Sequence, residues 1–348
     1  MSVARDTSSG QTRASTETSF KGAAEEVCDV AIGIDVGGTK ALSLLVARDG
    51  RVLGELLSPT PHDDCFVAGA AATAVLFENV KELSRRHGLC SRDVPVGIGL
   101  PGLVTPQGHL AYAPNFETAS GADLGALLGG ALGSEVVFSE NDANCAALAE
   151  HQWGAARGVD DFVMVTLGTG IGGGVVADGK LVRGRSGFAG EIGHMVVEAR
   201  GAPCRCGGRG CWERYASGGG LGRLAREAAF EGRLPTLVAG GDPALVRAED
   251  VTAGARAGLV EAQTLLREVA WWLALGLANL AAVLDCGHFV VGGGLSSASE
   301  LVLPSAREYL IDLVEGQSAR PTITVTASHF GPRSGAVGAA MMALARTS

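Results

Sequence analysis

The sequence predicts an α/β fold of two similar lobes, each a mixed sheet flanked by helices, with a cleft between them. Three observations carry that expectation. An order of apolar strand, glycine turn, strand, Asp-Gly turn and strand begins at Val30 and returns from Phe162, so one supersecondary unit occurs twice. Long helical patterns, such as Val67 to His87 and Leu259 to Leu284, follow each copy. The 52 glycines among 348 residues imply many backbone turns in a globular chain that is 47% apolar.

In the first copy Val30 to Asp35 reads as a strand, Gly37 and Gly38 as a turn, Ala41 to Ala47 as a strand, and Asp49-Gly50 as the turn into a strand at Arg51 to Leu57. Asp-Gly between apolar runs is a strong hairpin signal. From Val94 to Ala113 the chain runs strand, Gly-Leu-Pro-Gly turn, strand, which predicts an extension of the first sheet. Glu135 to Phe138 then reads as a strand and Ala143 to Ala156 as a helix, with the boundary between lobes near Asn141 to Ala147. The second copy runs from a strand at Phe162 to Leu167 through a glycine turn at Gly168 to Gly174, a strand at Val175 to Ala177, Asp178-Gly179, and a strand at Lys180 to Val182. The most apolar segment, Val269 to Leu284, is too short for a membrane span and contains Asn279, so it is expected to be a buried helix. A further strand, Phe289 to Val291, leads through Gly292, Gly293 and Gly294 to a helix opened by the capping-box pattern Ser297-Ala-Ser-Glu300.

These readings give a disordered polar tail at 1–27, a small lobe at 28–145 joined by a C-terminal helix at 335–348, and a large lobe at 146–334. A net charge of -9 with no basic run argues against nucleic acid as the partner, because phosphate-backbone binding needs clustered Lys and Arg. The tail has no apolar stretch of the kind a secretory signal needs, so a cytoplasmic protein with reduced thiols is expected, and no membrane.

Gly97-Ile-Gly99-Leu-Pro-Gly102 and Gly168-Thr-Gly170-Ile-Gly172-Gly173 both fit GxGxxG, but neither opens a helix as the dinucleotide fingerprint requires. Gly33 to Lys40 reads GIDVGGTK, with Thr39 where a P-loop has its lysine. What remains is a hairpin-type phosphate cradle, in which glycines admit an anion close to backbone N–H groups and Thr39 and Thr169 add hydroxyls. Each such turn alone reads equally as a plain tight hairpin; the third, Gly292 to Gly294 before a helix N-terminus, suits a nucleotide such as ATP. Cys204, Cys206 and Cys211, with His194 upstream, make a Cys3His set with the spacing of a closed structural zinc site, against free cysteines or one disulfide as the alternatives. Asp142 falls at a strand end and helix start near the expected cleft, where it or Asn141 would equally serve as a helix N-cap. Glu191 and Glu213 flank the cysteine loop at 194–213 and read alternatively as solvated surface charges.

Eight segments stand out together: Ile34-Asp-Val-Gly-Gly-Thr-Lys40, Gly99-Leu-Pro-Gly102, Ala113-Pro-Asn115, Glu140-Asn-Asp142, Leu167 to Gly174, Gly190-Glu-Ile-Gly-His194, Cys204-x-Cys-Gly-x-x-Gly-Cys-Trp-Glu213 and Val291-Gly-Gly-Gly294. With them the chain resembles the ROK family of sugar kinases and repressors, within the actin-like ATPase superfamily, and most closely its bacterial glucokinases. The resemblance runs from about Val30 to Ala345 and implies actin-like (ribonuclease H-like) lobes and an ATP:hexose 6-phosphotransferase. It implies Asp142 as the base that takes the proton of the sugar hydroxyl, with Gly102, Asn115, Asn141, Glu191, His194 and Glu213 holding the sugar. His194 would put one ring nitrogen on zinc and turn the other to the sugar. Asp35, Gly37, Gly38, Thr39, Lys40, Gly168, Thr169, Gly170, Gly292, Gly293 and Gly294 would surround Mg2+ and ATP. The resemblance also implies a homo-oligomer. Where the family often has Asp-Pro ahead of its late glycine turn, this chain has Asp285-Cys286. Kinases for N-acetylmannosamine, fructose, mannose or allose, and a sugar-responsive regulator, are the competing readings; a repressor needs a DNA-reading helix and a basic surface, and the sequence offers neither.

Overall fold

The computed structural model describes residues 29–60, 69–114, 116–294 and 298–347. The expectations for the tail, Val67, Asn115 and Ser297 lie outside those residues. The strands are β1 (Val30–Val36), β2 (Lys40–Ala47), β3 (Val52–Pro59), β4 (Val96–Leu100), β5 (Leu103–Val104), β6 (Leu110–Tyr112), β7 (Val137–Asn141), β8 (Phe162–Leu167), β9 (Ile171–Ala177), β10 (Lys180–Leu181), β11 (His288–Gly292) and β12 (Thr324–Ala327). The longer helices are α1 (Ala70–Arg86), α2 (Leu124–Leu132), α3 (Asp142–Trp153), α4 (Gly218–Phe230), α5 (Ala248–Arg256), α6 (Val260–Leu284), α7 (Ser299–Leu313) and α8 (Ser334–Arg346).

Two five-stranded sheets repeat one topology, in the orders β3-β2-β1-β4-β7 and β10-β9-β8-β11-β12. In each, a leading strand pairs antiparallel with the next, as β1 with β2 and β8 with β9, and parallel with a later one, as β1 with β4 and β8 with β11. The expected repeat is therefore a repeat of sheet topology. Alternation sorts the side chains: Ile32 and Ile34 of β1 face the cluster built with α1 and α2, while Ala31 faces Ala336, Val337 and Ala340 of α8. Val163 and Val165 of β8 enter the large core of α4 to α7, and Phe162 and Met164 pack on Ala146 and Ala147 of α3.

The two sheets meet through α3 and α8, which pack on each other; α8 also lies on β1 and β4, and α3 on β8 and β9. Gly33 and Gly97 are partners in the β1–β4 register, and a side chain on either would collide with the α8 backbone, at the Ala336 and Ala339 carbonyls. Gly97 and Gly99 thus belong to β4 rather than to a turn, and Gly97 serves as the floor for a helix.

Several elements differ from expectation. The glycine turn after β8 is confined to Gly168–Gly170, because Gly172, Gly173 and Gly174 pair with Thr166, Val165 and Met164 as strand; Gly174 faces Ala143 and Ala147 of α3 too closely for any side chain. The strand predicted at Glu135 to Phe138 is β7, which runs on to Asn141 and makes Asp142 the first residue of α3. β5 and β6 pair with each other instead of extending the first sheet. Helix α7 begins at Ser299, with Ala298 before it and no side-chain cap. The whole of α6, unlike its C-terminal part alone, is long and apolar enough to cross a membrane, and 56% of its most apolar window is buried inside the fold. Asp178-Gly179 forms the expected tight turn, with both residues at positive φ (51° and 69°).

Candidate active site

β1, β4 and β7 run parallel, so Asp35, Gly102 and Asn141–Asp142 collect where these strands end, and the turn after β8 faces them across a cleft of about 760 Å³. Asn141 is the N-cap of α3: its side-chain oxygen accepts from the Asn144 N–H at 3.0 Å, and its amide nitrogen donates to the Gly102 carbonyl at 3.0 Å. That leaves one side-chain N–H for a ligand. The cap settles the choice left open by the sequence, since Asn141 takes the capping role and Asp142 is released to line the cleft. One Asp142 oxygen accepts its own helix's Ala143 N–H at 2.8 Å. Gly99 lacks the side chain that would crowd the Asp142 backbone, whose Cα lies 3.3 Å from that position.

Asp35, at the end of β1, lies against the first turn of α8, where a side chain at Gly335 would come within 2.5 Å of its carboxylate. Burial pushes Asp35 up to about 7, and burial followed by the charges of Asp35 and Glu191 pushes Asp142 up to about 8. Two acids facing one cleft resist being ionised together, and a cation between or beside them restores the charged forms.

On the opposite wall the turn Gly168–Gly170 is held by Gly218 and Gly219 at the start of α4, whose N–H groups donate to the carbonyls of Gly168 (2.9 Å) and Thr169 (3.2 Å). The Gly37 N–H donates to the Lys40 carbonyl at 2.9 Å, closing the other hairpin turn. Gly37, Gly38, Thr39, Gly168, Thr169, Gly170, Gly293 and Gly294 all line the cleft. Lys40 and Gly292 do not: Lys40 starts β2 at the surface, and Gly292 is the buried last residue of β11.

The sugar-pocket candidates Glu191, His194 and Glu213 line the same cleft. Burial raises the Glu191 carboxyl above its ordinary value, opposed by His194, whose Nε2 lies 3.8 Å from a Glu191 oxygen. The other ring nitrogen, Nδ1, faces the Cys204 sulfur at 3.9 Å, and the Cys206 and Cys211 sulfurs are 3.6 Å apart. All four candidate ligand atoms lie within 4.8 Å of one another. A tetrahedron with Zn–S bonds of about 2.3 Å has sulfur–sulfur edges of about 3.8 Å, so this donor set fits zinc. Cys204 also donates to Glu213 at 3.0 Å, which joins the cysteine cluster to a cleft residue. Trp212, fully buried between Cys211 and Glu213, anchors the loop: its indole N–H donates to the Trp272 carbonyl at 2.7 Å, and its ring occupies the space that Gly276 leaves open.

Sequence reasoning missed Ser334, Gly335, Thr166 and Arg205, all of which line the cleft. Ser334 and Gly335 open α8, which is distant in sequence from every motif; the signal available was Gly331-Pro-Arg-Ser-Gly335, a break followed by a helix of small residues.

The chain belongs to the ROK family, whose sequence model matches residues 31–346. A glucokinase from Streptomyces coelicolor is 38% identical over 317 residues, covering 90% of this chain and 96% of that protein. An N-acetylmannosamine kinase from Citrobacter koseri is 33% identical over 317 residues, covering 90% of this chain and 98% of its own. Among solved structures, a ROK family glucokinase from Streptomyces griseus in complex with glucose and AMPPNP superposes with a TM-score of 0.81 at 37% identity, covering 92% of this chain and all (100%) of that one.

Proposed function

We propose that this chain is an ATP-dependent hexokinase that transfers the γ-phosphoryl group of ATP to the 6-hydroxyl of glucose, with Asp142 as the base. The observation that carries the reading is the position of Asp142. Freed from capping by Asn141, it stands at the floor of a cleft with glycine turns on its walls and three polyol-binding candidates beside it. Glu191 and Glu213 accept from sugar hydroxyls, His194 Nε2 faces the same space, and Asn141 and Gly102 complete the pocket; a sugar lacking one hydroxyl leaves a buried acceptor unpaired. Asn115 is assigned to the pocket by the family pattern alone.

The hydroxyl oxygen, held by these groups, loses its proton to the Asp142 carboxylate as the oxygen–phosphorus bond forms and the bond from phosphorus to the bridging oxygen of ADP breaks. The turns at Gly37–Thr39 and Gly168–Gly170, with Gly293 and Gly294, offer backbone N–H groups and hydroxyls to the phosphates. Asp35 presents hard oxygen donors and suits Mg2+, which when bound neutralises charge on the β- and γ-phosphates. His194, Cys204, Cys206 and Cys211 would hold zinc, which when bound supplies rigidity to a glycine-rich loop rather than catalysis. We assign residues 28–145 with 335–348 to one lobe and 146–334 to the other, and read the protein as a cytoplasmic homo-oligomer acting in hexose metabolism.

The second reading is a kinase for N-acetylmannosamine, which the 33% identity to that relative supports. A coupled ADP-release assay against glucose, mannose, fructose, allose and N-acetylmannosamine separates the two, with the highest kcat/KM expected for glucose. Glucose binding with no ADP formed from any sugar would refute both in favour of a sugar-responsive regulator.

A further inference from the structure

Glu150 is fully buried in the last turn of α3, eight residues beyond the proposed base, and none of the family motifs described above includes it. Its carboxylate accepts four hydrogen bonds. Oε2 takes the N–H of Ala155 at 2.8 Å and of His329 at 2.9 Å; Oε1 takes the N–H of Phe330 at 3.0 Å and the hydroxyl of Ser334 at 2.9 Å. Three of the four donors come from the segment that enters α8, 179 to 184 residues away in the chain. A carboxylate in the final turn of its own helix meets the negative end of that helix's dipole, and here it lies instead against the positive N-terminal end of α8. Gly154 must be glycine, because a side chain there would strike the Glu150 carboxylate.

What the carboxylate joins is the two halves of the chemistry. α3 begins with Asp142. α8 begins with Ser334 and Gly335, which line the cleft, and Gly335 abuts Asp35. The two helices also touch along Gly338, where a side chain would collide with the Cys145 carbonyl. We infer that Glu150 is a positioning residue for phosphoryl transfer: its carboxylate pins the start of α8 to the end of α3 and so fixes the separation of Asp142 from Asp35, the proposed base from the proposed Mg2+ site. The inference rests on the kinase reading of the same cleft.

Glu150→Gln keeps the shape but replaces two of the acceptor lone-pair sites with N–H donors, so at least one native donor is left facing another donor. Misplacement of about 1 Å between reacting groups costs on the order of a hundred-fold in rate. The expected result is a fall in kcat of about ten-fold or more with KM for glucose moved by less than about two-fold. Val337→Ala, a packing lesion in the same α8 core, serves as the control and is expected to lower the melting temperature without that kcat-specific loss. Ser334→Ala removes one donor of four and gives a smaller fall in kcat in the same direction, which decides the matter should Glu150→Gln fail to fold. A Glu150→Gln enzyme with wild-type kcat, an unchanged kcat in Ser334→Ala, or an equal kcat loss in Val337→Ala overturns the inference. Wild-type protein inactive on every hexose removes the kinase reading, and this assignment with it.

Discussion

Replacing Asp142 by Asn tests the proposed base and its electrostatic setting in one protein. The amide keeps an oxygen for the Ala143 N–H, now accepted at 2.8 Å, so the start of α3 stays intact. What disappears is the ability to take a proton. General-base catalysis is worth about 10²–10⁴ in rate, so kcat should fall by that factor, about 2.7–5.5 kcal/mol of barrier, while glucose still binds. Stability should move the other way. Folding lifts Asp142 from an ordinary 3.8 to about 8, so between those values the folded state holds a proton that the unfolded state has lost. Stability of the substrate-free wild type therefore declines as pH rises from about 4 to about 8, then levels off. A neutral amide in place of the acid carries no such penalty. One pKa unit is about 1.36 kcal/mol, but Asp142 lines an open cleft and shares its repulsion with Asp35, so we expect about 2 kcal/mol from the fully charged form. Coupled ADP release measures the first effect; thermal melts at pH 5 and pH 8.5 without ligands measure the second. Turnover within ten-fold of wild type would remove the base. A melting-temperature difference between mutant and wild type that is the same at both pH values would remove the electrostatic account.

Cys206→Ser should lose bound zinc and weaken glucose binding together, measured by metal analysis and calorimetry; active wild-type protein free of zinc would refute the Cys3His assignment. Glu191→Gln should raise KM for glucose by about ten-fold or more with a smaller change in KM for ATP, since it removes one carboxylate acceptor from the proposed sugar pocket. Trp212→Ala should cost about 3–5 kcal/mol of stability, read by denaturant unfolding, because it empties a fully buried site and frees the loop between Cys211 and Glu213. Deleting residues 1–26 should leave ADP release unchanged, and loss of the folded state would show that the tail packs.

The repeat was legible because it is written locally. A hairpin is specified by an Asp-Gly turn between alternating strands, and Asp49-Gly50 and Asp178-Gly179 mark the same place in both copies. The cysteine cluster was legible for a similar reason, as three cysteines within eight residues, with a histidine ten residues upstream, carry the spacing of a metal site. Glycines misled wherever their purpose was packing and not turning. Gly97, Gly172 and Gly174 sit inside strands because α8 or α3 approaches there, and a helix crossing from far along the chain leaves no mark beside the glycine it requires.

The same physical difference separates Asp142 from the residues that hold it. Its motif, Glu140-Asn-Asp142, left open which residue caps α3, and only the bond from Asn144 to Asn141 gives the cap to Asn141 and leaves Asp142 lining the cleft. Asp35, Gly335, Ser334 and Glu150 form a second tier, joined across as many as 184 residues of chain by contacts that follow no sequence period. A carboxylate with four donors is costly to leave unpaired, since each lost bond to a buried charge is worth about 1.5–3 kcal/mol. In a core otherwise built of Ala, Val and Leu, such a group cannot be exchanged for an apolar side chain without cost. At the α3–α8 joint the reason is geometric: an apolar residue would bury the backbone N–H groups of His329 and Phe330 without acceptors, and the chain entering α8 would have to move away from Asp35 to find them.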